Sequence, residues 1–136
     1  MSDPRVFLDA SFWIAYRDTR EAGYAAAQQK VRHLFQSRAL FVTTVPVFCE
    51  SHAYFARNPR RRRTVLNDFW RNPVVQIEDT AHADQMAALE LLEKHRDKSY
   101  SFCDALTFVV MQRLGLTRVA TFDDHFRQFG GFEVIG

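Results

Sequence analysis
Five short apolar runs constrain this chain more than any other feature: Val6–Leu8, Leu40–Thr43, Val74–Ile77, Arg118–Thr121 and Phe132–Ile135. Each is too short for a helix and too apolar to leave one face in water. Between them the pattern turns helical. Helices are predicted over Ser11–Tyr16, from near Glu21 to Phe35, from Val45 to about Ala56, over Arg60–Trp70, from Thr80 to about His95, over Ser101–Leu114 and over Asp123–Phe129. Buried strands alternating with helices predict an α/β layer fold. The expectation is a single domain over residues 1–136, with a mostly parallel central sheet of about four to five strands flanked by helices.

Local chemistry supports these boundaries. Pro46 is tolerated in a first turn, Asn58-Pro59 and Asn72-Pro73 stop helices, and Gly115 is a natural terminator. Thr43-Thr44 and Thr80 offer caps, and Ser101-x-x-Asp104 reads as a capping box. The predicted buried stripes are Ala27, Val31, Leu34 and Phe35; then Val45, Phe48, Cys49, His52 and Phe55 or Ala56; then Val65, Leu66, Phe69 and Trp70; then Ala83, Met86, Ala87, Leu89 and Leu92. Phe12, Trp13 and Tyr16 read as core rather than as a surface for stacking bases.

Composition narrows the function classes. Hydrophobic residues make up 47% of the chain, enough for one core, and charged residues break every apolar run before it reaches membrane length. Met1-Ser2-Asp3-Pro4-Arg5 lacks the layout of an export signal. Cys49 and Cys103 make no disulfide framework and read as small buried side chains, so the expected compartment is the cytoplasm. Net charge is only +2, yet Arg57, Arg60, Arg61, Arg62, Arg63 and Arg71 crowd one segment. Such a run is either a solvated helix face or a grip on nucleic-acid phosphates.

Four acids stand out by position. Asp9 and Asp123 each follow a predicted strand, where open α/β sheets bind ligands. Glu50 and Asp104 are embedded in apolar sequence, Val47-Phe48-Cys49-Glu50 and Phe102-Cys103-Asp104-Ala105. Taken singly, Asp9, Asp104 and Asp123 read equally well as helix caps, and Glu50 as an exposed helix residue. Taken together, they predict one acidic pocket on one side of the sheet. Two carboxylates ~4 Å apart repel by roughly 4 kcal/mol at an effective dielectric near 20, and a hard divalent cation removes that conflict. All-oxygen ligands favour Mg²⁺ or Mn²⁺ over zinc, and the scattered histidines show no zinc spacing. Only His125, beside Asp123-Asp124, sits near the predicted pocket. A metal held by carboxylates is suited to phosphodiester hydrolysis.

Val6-Phe7-Leu8-Asp9-Ala10-Ser11, Val45-Pro46-Val47-Phe48-Cys49-Glu50, Ser101-Phe102-Cys103-Asp104-Ala105 and Thr121-Phe122-Asp123-Asp124-His125-Phe126 resemble, in order, the four signature segments of the PIN-domain family. Length and order most resemble VapC-type toxins of toxin–antitoxin modules. The resemblance implies a ribonuclease in which Asp9, Glu50, Asp104 and Asp123 ligate Mg²⁺ or Mn²⁺. Asp9 and Asp104 would be primary ligands, Asp123 would serve a second metal or the water, and Glu50 would be a ligand or a general base. Ser11 and Ser101 match positions that assist the site. The resemblance also implies a VapB-like antitoxin that blocks the site, and a homodimer. Arg57, Arg60, Arg61, Arg62 and Arg63 are the expected RNA contacts.

Rival readings fit less well. A haloacid-dehalogenase-type phosphatase needs a second Asp where this chain has Ser11, and a receiver domain needs a late Lys where the last lysine is Lys98, ahead of the Arg118–Thr121 strand. The alternative from another class is a non-catalytic PIN-like module that binds RNA or protein, against which the intact set of acids argues.

Overall fold
The computed structural model describes residues 3–136. In chain order the elements are β1 (Arg5–Leu8), α1 (Ala10–Arg17), α2 (Tyr24–Gln36), β2 (Leu40–Thr44), α3 (Val45–Tyr54), α4 (Pro59–Trp70), β3 (Val75–Glu78), α5 (His82–Lys94), α6 (Phe102–Leu114), β4 (Arg118–Ala120), α7 (His125–Phe129) and β5 (Glu133–Ile135). The five strands form one sheet in the order β3-β2-β1-β4-β5, with every pairing parallel. The chain builds outward from β1 through β2 to β3, then returns to place β4 on the other side of β1. The order therefore reverses between β1 and β4. A cleft opens outside the carboxyl ends of strands at such a point. Phe7 pairs with Val119 and Leu8 with Ala120, and the Asp9 amide donates to the Ala120 carbonyl at 3.1 Å. The residues after the two strands are thus held level with each other.

Val6, Phe7, Val42, Val119 and Ala120 are buried on the central strands, as the near-continuous apolar runs require. Phe12 and Trp13 of α1 join them in the core. Phe12 stacks on Phe122 with ring centroids 5.3 Å apart, which ties α1 to the loop after β4. Gly23 packs closely under this ring, and a Cβ there would crowd Phe122 at 3.1 Å. On the other flank Phe108 of α6 stacks on Phe129 at 4.3 Å and meets Phe126 edge-on at 5.0 Å. That aromatic cluster fixes the short helix α7, which carries His125 at its start.

The capping box at Ser101–Asp104 and the left-handed Gly115 stop of α6 (φ 67°) match the sequence reading. Other details differ. Thr44 occupies the cap position of α3 without a side-chain cap bond, and Thr43 instead donates to the Leu8 carbonyl at 2.9 Å. Thr80 does not cap α5; that helix starts after Ala81, whose amide donates to Asp84 at 2.9 Å. Helix α2 starts at Tyr24 rather than near Glu21, and α7 at His125 rather than Asp123. Val47 and Ser51 are the buried residues of α3, while Val45 and Cys49 are exposed and Phe48 is half-buried. Leu66 and Trp70 of α4, and Met86 and Leu89 of α5, also face water, and Cys103 is half-buried. On α5 the buried residues are Asp84, which pairs with Arg113, and Ala88, which packs with Ala105 and Leu106 of α6 beside the half-buried Leu91 and Leu92.

Candidate active site
Asp9 is the residue at which β1 becomes α1. It stands in the cap position of α1 but makes no side-chain cap bond. Its carboxylate turns to the neighbouring strand end instead. Asp9 Oδ2 accepts from the Ser11 hydroxyl at 2.8 Å and from the Thr121 hydroxyl at 2.8 Å. Both hydroxyl oxygens are also acceptors: Ser11 Oγ accepts from the Phe122 amide and Thr121 Oγ1 from the Asp123 amide, each at 3.0 Å. Thr121 therefore joins two of the acids, locking Asp9 by its side chain and shaping the turn that presents Asp123. Burial pushes the Asp9 carboxyl up to about 6. The Thr121 and Ser11 hydrogen bonds oppose that shift, and the charges of Asp104 and Asp123 add to it.

Asp104 opens α6. Its Oδ2 accepts from the Ser101 amide at 3.0 Å, while the Asp104 amide donates to the Ser101 hydroxyl at 3.0 Å. His125 reaches in from α7. Its Nδ1 lies 2.7 Å from Asp104 Oδ2 and 3.3 Å from Asp123 Oδ1. Ionised carboxylates only accept, so Nδ1 carries the proton. Nε2 lies 3.1 Å from the Ser99 hydroxyl, and the ring stands edge-on to Tyr100 at 5.3 Å. Asp123 Oδ1 also accepts from the His125 amide at 3.0 Å. Asp124, one residue on, is exposed and lies 3.7 Å from Arg127.

The candidate ligand atoms of Asp104, Asp123 and His125 lie within 4.8 Å of one another. Asp9 and Glu50 lie outside that tight group; burial is the main push on both carboxyls, and the charges of Asp104 and Asp123 add to it. Glu50 projects from α3 at the exposed rim. Its carboxyl sits above the usual range, first because its neighbours strip away part of its water, with a hydrogen bond to Cys103 opposing. The sequence reading named Asp9, Glu50, Asp104 and Asp123, and all four face one region. It missed Thr121 and left His125 without a role. The signal for Thr121 was present, a hydroxyl residue between a strand and an acid two positions on.

Each of the three aspartates spends one carboxylate oxygen on the protein. Asp9 and Asp104 use Oδ2, and Asp123 uses Oδ1. Asp9 Oδ1, Asp104 Oδ1 and Asp123 Oδ2 accept no hydrogen bond among the described residues. No side-chain oxygen is both fully buried and unpartnered among those residues, so the spare oxygens meet solvent. No lysine or arginine pairs with Asp9, Asp104 or Asp123 among the described residues. Oriented, unneutralised carboxylate oxygens fit a hard divalent cation.

Arg57, Arg60, Arg62 and Arg63 are exposed, in the loop after α3 and on the first turns of α4. They lie within 4.0 Å of no carboxylate among the described residues. Among those residues no helix is long and apolar enough to cross a membrane.

The model of the PIN domain family matches residues 6–131. The chain is 30% identical, over 95% of its length and 97% of the relative's, to the 23S rRNA-specific endonuclease VapC20 of Mycobacterium tuberculosis. The crystal structure of that protein, a sarcin-ricin loop cleaving toxin, superposes with a TM-score of 0.84 at 28% identity, covering 96% of this chain and 99% of the other. A chain of a toxin–antitoxin complex from Klebsiella pneumoniae shares the fold, with a TM-score of 0.68 at 14% identity and 96% of each chain covered. With the family model matching residues 6–131 and a VapC relative 30% identical over nearly its whole length, this chain belongs to the PIN-domain family and is of the VapC type.

Proposed function
We propose that this protein is a metal-dependent endoribonuclease, the toxin of a toxin–antitoxin pair, acting as one catalytic unit over residues 1–136. One observation carries the reading: three aspartates at the sheet's switch point, each anchored by one oxygen and offering the other. Asp9, Asp104 and Asp123 would hold the ion, of the Mg²⁺ or Mn²⁺ class by their all-oxygen donor set. A divalent ion supplies neutralisation of the acids, a bound water of lowered pKa and stabilisation of charge on the scissile phosphate.

The protein's own groups do the positioning. Ser11 and Thr121 stop Asp9 from rotating, and the Ser101 amide with His125 stops Asp104. Donors of this kind orient metal ligands, and losing one typically costs about 10–100-fold. Glu50, at the wet rim with a raised carboxyl, is placed to take a proton from an attacking water or to add one more oxygen. Arg57, Arg60, Arg61, Arg62 and Arg63 would hold the RNA backbone.

VapC20 makes the sarcin-ricin loop of 23S rRNA the first substrate to test. A VapB-like antitoxin that covers the acids, a homodimer and a cytoplasmic location complete the proposal. The test is cleavage of that RNA with Mg²⁺ or Mn²⁺, its loss in EDTA and its return on adding metal. Mn²⁺ should also raise the melting temperature, since it relieves carboxylate repulsion only in the folded state. A protein that neither cuts RNA nor melts later with Mn²⁺ is a binding module, not a nuclease.

A further inference from the structure
Tyr54 ends α3 one helical turn beyond Glu50 and on the same face. Its Cα lies about 6 Å further along the axis. The residue is 46% exposed, yet its ring is held at both ends. The hydroxyl donates to Asp18 Oδ2 at 2.8 Å, and the ring meets Phe55 edge-on with centroids 4.8 Å apart. Asp18 is already charge-matched, because Arg20 bonds both of its oxygens at 3.0 and 3.1 Å. The ring forms one wall of an open cleft whose other walls include Thr19, Arg20, Arg57, Asn58 and Arg61. The Arg61 guanidinium lies 6.0 Å from the Phe55 ring centroid. Neither Arg57 nor Arg61 has a carboxylate within 4.0 Å among the described residues. The cleft thus combines a fixed aromatic face with unmatched guanidinium groups. The Tyr54 hydroxyl bond shows that the ring's orientation is set before anything docks.

We infer that this cleft is a subsite for single-stranded RNA, in which Tyr54 stacks on an unpaired base beside the scissile phosphodiester and Arg57 and Arg61 hold the adjoining phosphates. A strand whose phosphate sits at the acids and runs along α3 passes Tyr54 within its next nucleotides. Stacking on a preset ring tolerates any base, and the guanidiniums add a salt-dependent grip. An acidic peptide would satisfy the arginines but leave the ring unused. The inference rests on the ribonuclease reading above.

The test measures binding of a short fluorescent single-stranded RNA in EDTA, where no cleavage interferes, and of the same strand with abasic sites. Tyr54→Leu keeps bulk but loses the π-face. It should bind the intact RNA about ten-fold more weakly, with an unchanged salt slope. It should bind the abasic strand as the wild type does. Tyr54→Phe should stay within about two-fold of wild type, because it keeps the ring. Arg57→Gln and Arg61→Gln should each lower the salt slope by about one. Tyr54→Leu binding intact RNA like the wild type overturns the subsite. So does Tyr54→Phe falling as far as Tyr54→Leu, since the hydroxyl bond to Asp18 would then be the whole effect. Equal losses on intact and abasic strands also overturn it and point to a backbone or peptide contact. A wild type that neither binds nor cuts RNA fails at the functional reading instead, whereas one that does both with Tyr54→Leu unaffected fails only here.

Discussion

Helices α5 and α6 pack against each other and open in the same way. Each carries an aspartate at its third position that accepts from a backbone amide just ahead of the helix: Ala81 to Asp84 at 2.9 Å, Ser101 to Asp104 at 3.0 Å. Both acids are buried. Their remaining partners differ. Arg113 bonds both Asp84 oxygens at 2.9 Å and holds that carboxyl below its usual range. Asp104 meets only the His125 imidazole, at 2.7 Å, and no lysine or arginine among the described residues. Local sequence opens both helices alike; the residue across the gap decides what each acid is for. An acid matched by a guanidinium holds the fold together, while one left unmatched is free to attract a cation.

The strongest way to break this comparison is to remove each negative charge in turn. Asp104→Asn should cut metal-dependent RNA cleavage about a thousand-fold, roughly 4 kcal/mol in the barrier. It should leave the EDTA-treated protein no less stable, since the substituted side chain still accepts from the Ser101 amide. The cleavage rate under single-turnover conditions and a thermal melt together check this. An Asp104→Asn variant that still cleaves at wild-type rate would remove Asp104 from the site.

Asp9 sharpens the same contrast, because it too lacks a cation and is still more enclosed. Its folded value of about 6 lies above the unfolded 3.8. A raised carboxyl contributes stability that is full below about pH 4 and is lost as pH rises through about 6, because the unfolded chain gives up that proton first. The loss amounts to about 3 kcal/mol when fully expressed. Urea melts in EDTA should therefore show wild type weakening between about pH 4 and pH 7, with Asp9→Asn removing that part of the slope. Parallel slopes would mean that Asp9 is charge-matched in the folded protein.

Asp84→Asn tests the other side. It leaves Arg113 without its main partner at a site that is part exposed, so the cost should be about 2 kcal/mol rather than the larger penalty of a fully buried pair. Cleavage at a temperature where the variant is folded should match wild type. A Tm that does not move would mean that the Arg113–Asp84 pair adds no net stability to the fold.

Not all of this is legible without the fold. The strand runs and the order of the acids are, because buried parallel strands must be apolar and a carboxylate directly after one is conspicuous. The roles of Asp84 and Asp104 are not separable, since Arg113 lies 29 positions from Asp84 and His125 lies 21 from Asp104. The buried faces of α3 and α5 differ from the sequence reading, and that of α4 is narrower than read, for a related reason. An apolar stripe two residues wide fits several rotations of a helix, and the buried row is Val47 and Ser51 on α3, Val65 and Phe69 on α4, and Asp84 and Ala88 on α5. Thr121 is marked in the sequence by its place two positions before Asp123, but its bond to Asp9 spans 112 positions and is visible only in the fold.

The finest test turns one helix opening into the other. Ala81 has no side-chain acceptor, so α5 stands with half a capping box, whereas Ser101 completes the one on α6. Ser101→Ala therefore gives α6 the opening that α5 already has. The lost bond from the Asp104 amide should cost about 1 kcal/mol of stability. The Ser101 amide is backbone and survives the change, and His125 is untouched, so the Asp104 carboxylate should keep both of its anchors. Cleavage should then fall by less than about ten-fold. If Ser101→Ala were as inactive as Asp104→Asn while melting like the wild type, the hydroxyl would be contacting RNA or the bound ion directly. The likeness between the two helix openings would then end at Ser101 rather than at Arg113.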